Sequence, residues 1–351
     1  DETLLLERVD LRGNKINCTN ECFNVLKSFC DEDGMGVFVK GDPNDENPCA
    51  VPLALQWYEE RAEKKEVNEE NVSAQILLAG CYRYGKGIKS DKSKAIAFYN
   101  KAAQEGGDKS AQNILGLCYE NGLLGLKKDS RRARKYYIKS AEQGLPEANY
   151  HLAAYYEEGG AGLEKSWIKA VACYKKAAEE NYAPAQDRLG YCYQYGKGIG
   201  RNLEKAFFFY KQAASKYFDA SYHLGQCYEF GIGVKQDFTK AVESYKKAKD
   251  HAEALMCLAY CYEKGIGDKK DLEISHQYFR KAAARYREVG KRYHEGGDNL
   301  SVSLPKAVVC YKFAASAEDP EGQYRLALCY EKGEGIETDI ALARKWYQRS
   351  A

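Results

Sequence analysis

No run of apolar residues in this chain of 351 approaches the roughly 18 that a membrane-spanning helix needs, which excludes a transmembrane segment of that kind. The N-terminal residues do not read as a signal peptide. Neither sign of charge dominates: 53 basic side chains against 51 acidic ones leave +2, which argues against a nucleic-acid grip built on phosphate neutralisation. The five histidines, His151, His223, His251, His276 and His294, include no pair at metal-helix spacing and read as surface residues. DEDGMG and GDPNDENP have the composition of calcium loops but lack the alternating acidic ladder that ends in Glu, and they read as solvated turns. Nothing resembles a nucleophile with its base. No catalytic residue, metal or cofactor is therefore expected.

What is present is repetition. Taking the small residue four before each LG or LA as place zero, copies of one segment start at Ala74, Ala111, Ala148, Ala185, Ala220, Ala254, Arg285 and Gly322. In all eight, place eight is tyrosine: Tyr82, Tyr119, Tyr156, Tyr193, Tyr228, Tyr262, Tyr293 and Tyr330. In all eight, place eleven is glycine: Gly85, Gly122, Gly159, Gly196, Gly231, Gly265, Gly296 and Gly333. Starts spaced 31 to 37 residues apart signal a solenoid or a propeller.

Each copy holds two helical patterns. In the fifth, Ala220, Leu224, Cys227, Tyr228 and Gly231 share one face at about 100° per residue, which predicts a buried stripe. The Gly-x-Gly that follows, as at Gly231 and Gly233, predicts a helix end, because glycine reaches the left-handed cap conformation without a Cβ penalty. The second pattern, Ala241, Tyr245 and Ala248, recurs as Ala95, Tyr99 and Ala102, and as Ala170, Tyr174 and Ala177. Each unit thus reads as an antiparallel helix hairpin whose alanines let backbones approach and whose tyrosines fill the gaps between hairpins. A single hairpin cannot bury both its faces, so stacking is obligatory.

The pattern A-x-x-x-L-G-x-x-Y-x-x-G-x-G, followed by K-A-x-x-x-Y-x-K-A-A, resembles the Sel-one-like repeat (SLR) family, a relative of the tetratricopeptide repeats. Tetratricopeptide units keep close to 34 residues and lack the Gly-x-Gly loop, so the commoner 37-residue spacing and the eight glycines favour the former. The resemblance covers roughly residues 74–351. It departs in the seventh unit, where Arg285 replaces the opening alanine and Asp298 the second glycine, and in the sixth, which is short. It implies an all-α fold, a right-handed superhelical solenoid of helix pairs that binds other proteins on its curved surface.

Three segments follow: an N-terminal extension at 1–19, a degenerate capping repeat with a long loop at 20–65, and eight repeats at 74–351, the last cut short. In the capping repeat Ala54, Tyr58 and Ala62 keep the second-helix register, and setting place zero at Phe23 brings Cys30, Gly34 and Gly36 to places seven, eleven and thirteen. About nine hairpins are expected in all. The missing initiator Met and the stop inside a helix read as one region of a longer protein.

Seven of the thirteen cysteines, Cys30, Cys81, Cys118, Cys192, Cys227, Cys261 and Cys329, occupy place seven. Helices of successive units lie about 10 Å apart while a disulfide needs Cα atoms within about 7 Å, so this column cannot pair with itself. Its members read as small buried hydrophobes with free thiols, which favours a reducing compartment and a cytoplasmic location. Sequons at Asn17, Asn71 and Asn299, with Cys18, Cys22, Cys30 and Cys49 close together, keep the endoplasmic-reticulum lumen as the alternative.

A fixed frame with changing letters makes a surface. On a helical wheel places two, six and nine of the first helix project opposite the buried face, on the side that lines the concave surface of related solenoids. Along the chain they present Tyr150, Glu157, Asp187, Tyr191, Tyr222, Glu229, Tyr260, Glu263 and Tyr324 as candidate partner-binding residues. Tyrosines interleaved with a glutamate ladder would suit a peptide carrying basic groups. In the seventh unit Arg287, Lys291 and His294 break the ladder. The function read from the sequence is a non-enzymatic scaffold that holds a protein or peptide partner. The alternative is a regulatory or substrate-docking arm of a larger enzyme such as a kinase.

Overall fold

The computed structural model describes residues 6–9, 15–18, 50–64, 66–296 and 302–350. Among these, sixteen α-helices follow one another. The only strands among the described residues are β1 (Leu6–Val9) and β2 (Lys15–Cys18), an antiparallel pair with Leu6 opposite Cys18, in what reads from sequence as a plain extension. The candidate partner helix at 23–36, both calcium-like turns and Asp298 lie outside the described residues.

The chain forms two compact units, Asp1–Gln143 and Gly144–Ala351. The first contains α1 (Ala50–Glu63), α2 (Glu69–Tyr84), α3 (Lys92–Gln104), α4 (Lys109–Asn121) and α5 (Ser130–Glu142), each packed on the next. The second contains α6 (Pro146–Glu158), α7 (Trp167–Glu179), α8 (Ala183–Tyr195), α9 (Leu203–Ala213), α10 (Phe218–Phe230), α11 (Phe238–Lys247), α12 (Ala252–Lys264), α13 (Leu272–Glu295), α14 (Leu304–Ser316), α15 (Pro320–Lys332) and α16 (Ile340–Ser350), again packed in order. The hairpin frame explains every pair but one. Helix α13 runs unbroken through what the spacing predicts to be two helices, the second of the sixth repeat and the first of the seventh.

Local chemistry sets the ends. Asp91, Asp129, Asn202, Asp237 and Asp271 each accept a first-turn backbone N–H on their side chains, capping the second helix of their repeat. In all eight repeats the backbone N–H at that cap donates to the carbonyl of the place-eight tyrosine, at 2.7 to 3.0 Å, which pins the loop across the hairpin. Gly231 has φ +68 and ψ +37, the left-handed cap expected of it. Gly233 does something else. At φ +67 it lies so close to the start of α9 that a Cβ would meet the Leu203 carbonyl oxygen at 2.0 Å, so the second glycine of the motif is an inter-repeat contact.

The deepest side chains are not the place-eight tyrosines. Tyr82, Tyr193 and Tyr262 are buried, but Tyr119, Tyr156, Tyr228, Tyr293 and Tyr330 are half-buried. Several stack on the aromatic residue that leads the second-helix tyrosine by one, as Tyr82 does on Phe98 (6.0 Å) and Tyr193 on Phe209 (5.6 Å). A cation covers others, as Lys240 covers Tyr228 at 5.7 Å. The fully buried rings belong to the second helices: Tyr137, Tyr174, Tyr210, Tyr245 and Tyr311. The glycine of the LG pair makes room for them, since a Cβ at Gly225 would lie 2.4 Å from the Tyr245 ring.

Candidate protein-docking surface

All nine candidate binding residues fall in the second compact unit, and the structure divides them by place. At place two, Asp187 is only 5% exposed and its Oδ1 lies 2.7 Å from Nδ1 of His223 in the next repeat. Tyr150 is wedged between Tyr174 and Tyr182, 5.8 and 5.6 Å away, with the edge of His151 at 5.6 Å. Tyr222 stacks on His251 at 4.6 Å and accepts a hydrogen bond from Gln226 at 2.8 Å. Arg287 donates two bonds to Asp319, at 2.8 and 3.1 Å. Tyr182, His251 and Asp319 are N-cap residues of the next first helix and His223 lies on it, so in these four repeats place two is a seam and not a free face; in the eighth repeat it is open, at Tyr324. Here the helical wheel misleads, because a stacked first helix has a neighbour on two sides.

Place nine carries a second correction. Tyr174 donates to Glu157 at 2.8 Å, Tyr245 donates to Glu229, and outside the candidate set Tyr137 donates to Glu120 at 2.7 Å and Tyr347 to Glu331 at 2.6 Å. In the fourth repeat Gln194 accepts from Tyr210 at 2.8 Å. Glu157 also receives Arg188 from the next repeat. A buried phenol needs an acceptor, and the glutamate ladder supplies it. Burial, with the neighbouring Cys257 thiol and Glu229 carboxylate, holds the Tyr245 phenol far above its ordinary value. Only Glu263 differs. The residue opposite it is Phe279, which has no hydroxyl, and Glu263 instead pairs with Lys264 at 2.6 Å.

Tyr191, Tyr260 and Tyr324 remain, with Tyr260 and Tyr324 each 48% exposed. Beside them stand aromatics that the chosen places leave out. Tyr195 and Phe230, 55% and 64% exposed, occupy place ten, one residue before the cap glycine. That recurrence was visible in the sequence. Trp167, the first residue of α7, lies 6.4 Å from Tyr191, which in turn is 4.7 Å from Tyr195. An open groove of about 300 Å³ runs beside them, lined by Gln194, Tyr195, Arg201, Leu203 and Ile232.

The histidines are not surface residues as a group: His151, His223, His251 and His294 are half-buried, and only His276 is exposed. Among the described residues no cluster of three His, Cys, Asp or Glu is placed to hold a metal. Cys118, Cys192, Cys227, Cys261 and Cys329 are free and buried, Cys81 is buried, and Cys30 lies outside the described residues. Burial pushes the thiols of Cys192, Cys227 and Cys261 up to about 12. Asn71, one of the three sequon asparagines, is wholly buried and donates its side-chain amide to the Glu66 carbonyl at 2.8 Å, so the folded chain does not present it to a glycosylating enzyme.

These features define an α-helical solenoid of short hairpins. The Sel1 repeat profile matches eight times, at residues 72–107, 109–145, 146–182, 183–217, 218–252, 250–285, 286–319 and 320–351, and the chain belongs to that family. Proteins of this family generally act as protein-interaction scaffolds. Two of the similar crystal structures share 28% identity with this chain. One is of c5321, a protective antigen present in uropathogenic Escherichia coli strains displaying an SLR fold: 28% identity and a TM-score of 0.59, covering 84% of this chain and 63% of that one. The other is a Sel1 repeat protein from Oxalobacter formigenes: 28% identity and a TM-score of 0.52, covering 81% of this chain and 98% of that one. This chain thus spans less than two thirds of the c5321 structure. No curated protein matches it. Among the described residues no helix is long and apolar enough to cross a membrane.

Proposed function

We propose that the chain is a non-enzymatic docking scaffold and that its partner is a protein, held on the side of the second unit where Tyr195, Phe230 and Tyr260 stand exposed in successive repeats beside the half-buried Tyr191. The observation that carries this is the recurrence itself. A large aromatic stands at place six or ten of each of the fourth to sixth repeats, Tyr195 lining a groove of about 300 Å³, while polar residues at the neighbouring places two and nine are taken up by contacts within the fold. Exposed tyrosine and tryptophan supply contact area at low entropy cost, and such residues carry most of the energy in known interfaces. A net charge of +2 supports a protein partner over nucleic acid, and the eight free thiols other than Cys81 among the described residues support a reducing compartment such as the cytoplasm.

The test is affinity capture from an extract of the source cell with the whole chain and with a Tyr191→Ala, Tyr195→Ala variant, reading differences by mass spectrometry. Neither side chain is in the deep core, so the variant keeps the helical signal and the melting temperature within a few degrees. A protein retained by the original and lost by the variant supports the reading. Identical capture by both removes this face from consideration.

A further inference from the structure

The free charges around the exposed aromatics have the opposite sign to the one the glutamate ladder suggests. Lys165 and Lys197, both exposed, converge on Trp167 from separate loops, each with its ammonium 5.9 Å from the centre of the indole ring. Arg201, also exposed, donates its Nε–H to the Gln194 carbonyl at 3.1 Å and borders the groove beside Tyr195. Among the described residues none of these three cations enters an ion pair, and the nearest carboxylate in sequence, Glu164, makes none either. Arg188 stands over Tyr191 at 4.9 Å, but Glu157 already neutralises it. Two ammonium ions held at one ring repel each other, and a carboxylate placed between them relieves that repulsion while the indole screens it from water.

We infer that Trp167, Tyr191 and Tyr195, rimmed by Lys165, Lys197 and Arg201, form a docking site for an acidic peptide segment of a partner protein: carboxylates between the two lysines, and an aromatic or aliphatic side chain in the groove floored by Leu203 and Ile232. This deepens the scaffold reading and rests on it. Confinement of the charge decides between a peptide and a nucleic acid. The loop place held by Lys197 in the fourth repeat is Gly160 in the third, Ile232 in the fifth, Ile266 in the sixth and Glu334 in the eighth; its one lysine counterpart, Lys86 of the first repeat, lies in the other compact unit. A strand of nucleic acid needs a positive groove that follows its backbone over several nucleotides. Within the second unit one repeat offers only a spot, which matches one or two side chains of a short motif.

Fluorescence anisotropy with the full chain tests this, using as probe a fluorescein-labelled peptide of alternating glutamate pairs and single phenylalanines. Controls are the same peptide with lysine for glutamate, and single-stranded oligothymidylate. The acidic peptide is expected to bind and the basic one not. Added salt should weaken the complex, since the cations lie at the surface. Lys165→Glu with Lys197→Glu should cost at least about tenfold in affinity, with melting unchanged because both side chains are exposed. The proposal is overturned by any of four results: no binding of the acidic peptide up to about 1 mM, equal binding of the basic peptide, binding of the oligonucleotide instead, or indifference to the double charge reversal. The two readings fail separately. A captured protein lost with Tyr191→Ala, Tyr195→Ala but retained by the charge-reversed chain leaves the scaffold standing and removes only the acidic partner.

Discussion

In the fifth repeat the buried ring of the second helix is Tyr245, which donates to Glu229, and α11 ends at Lys247 before the chain turns at Lys249, where φ is +45. In the sixth the equivalent residue is Phe279, half-buried, and the helix runs on through Arg285 to Glu295. Only ten residues separate Ser275 from Arg285, where thirteen separate Ala241 from Ala254. The missing three are the turn, and the alanines at 282–284 favour continuing the helix. Even so, Gly290 still abuts the ring of Tyr311 as Gly225 abuts Tyr245. The contrast teaches that the hairpin contact and the turn between repeats are separate devices, and that one survives loss of the other.

The largest effect that would sharpen this contrast is at the two equivalent rings. Tyr245→Ala should cost about 3 to 5 kcal/mol in chemical denaturation, because it empties a fully buried site and strands the Glu229 carboxylate. Phe279→Ala should cost less than half as much. Equal losses would show that the sixth repeat is locked like the fifth.

Next in size is the close approach between repeats. Gly233→Ala drives a Cβ into the Leu203 carbonyl at a positive φ and should lower stability by more than about 1 kcal/mol. Gly200→Ala, where a Cβ meets nothing within 4 Å, should be nearly neutral. Comparable melting temperatures would remove the second glycine from the inter-repeat contact.

The effect that is smallest near neutral pH is alkaline. Cys192, Cys227 and Cys261 have folded values raised from 9.0 to about 12 by burial, so the unfolded chain releases these protons first. The stabilising contribution is whole below pH 9 and declines between pH 9 and 12, by roughly 1 kcal/mol per pH unit for each thiol. The seventh repeat, whose place seven is Arg292, adds nothing to this slope. Denaturation at a series of pH values checks it, and Cys227→Ala should flatten the slope by about one group's share.

Much of the fold was legible because its signals are local. The alanine and tyrosine spacing, the cap glycine and the cysteine column each repeat within one hairpin, and the structure has them as helices, as left-handed caps in every repeat but the seventh, where Gly296 has ψ 170, and as buried thiols. The candidate site was less legible. Place two could not be read from one helix, because Asp187 meets His223 of the next repeat, and Tyr150 is covered by Tyr174 of the second helix and by Tyr182 at the mouth of the helix after it. Place nine was misread because a glutamate looks the same in sequence whether it faces solvent or accepts a bond from a buried phenol sixteen or seventeen residues later, as Glu229 and Glu157 do.

The amino-acid sequence by itself determined that this protein is a series of helix hairpins, since a period of helical stripes closed by glycine permits little else. It also fixed which faces are apolar enough to require stacking. Tertiary structure alone decided which polar side chains stacking would consume. Bringing a second-helix tyrosine against a first-helix glutamate removes that acid from the surface, and bringing two loops to Trp167 leaves lysines there unpaired. The sign of the exposed charge is thus a property of packing between helices, which no single repeat contains.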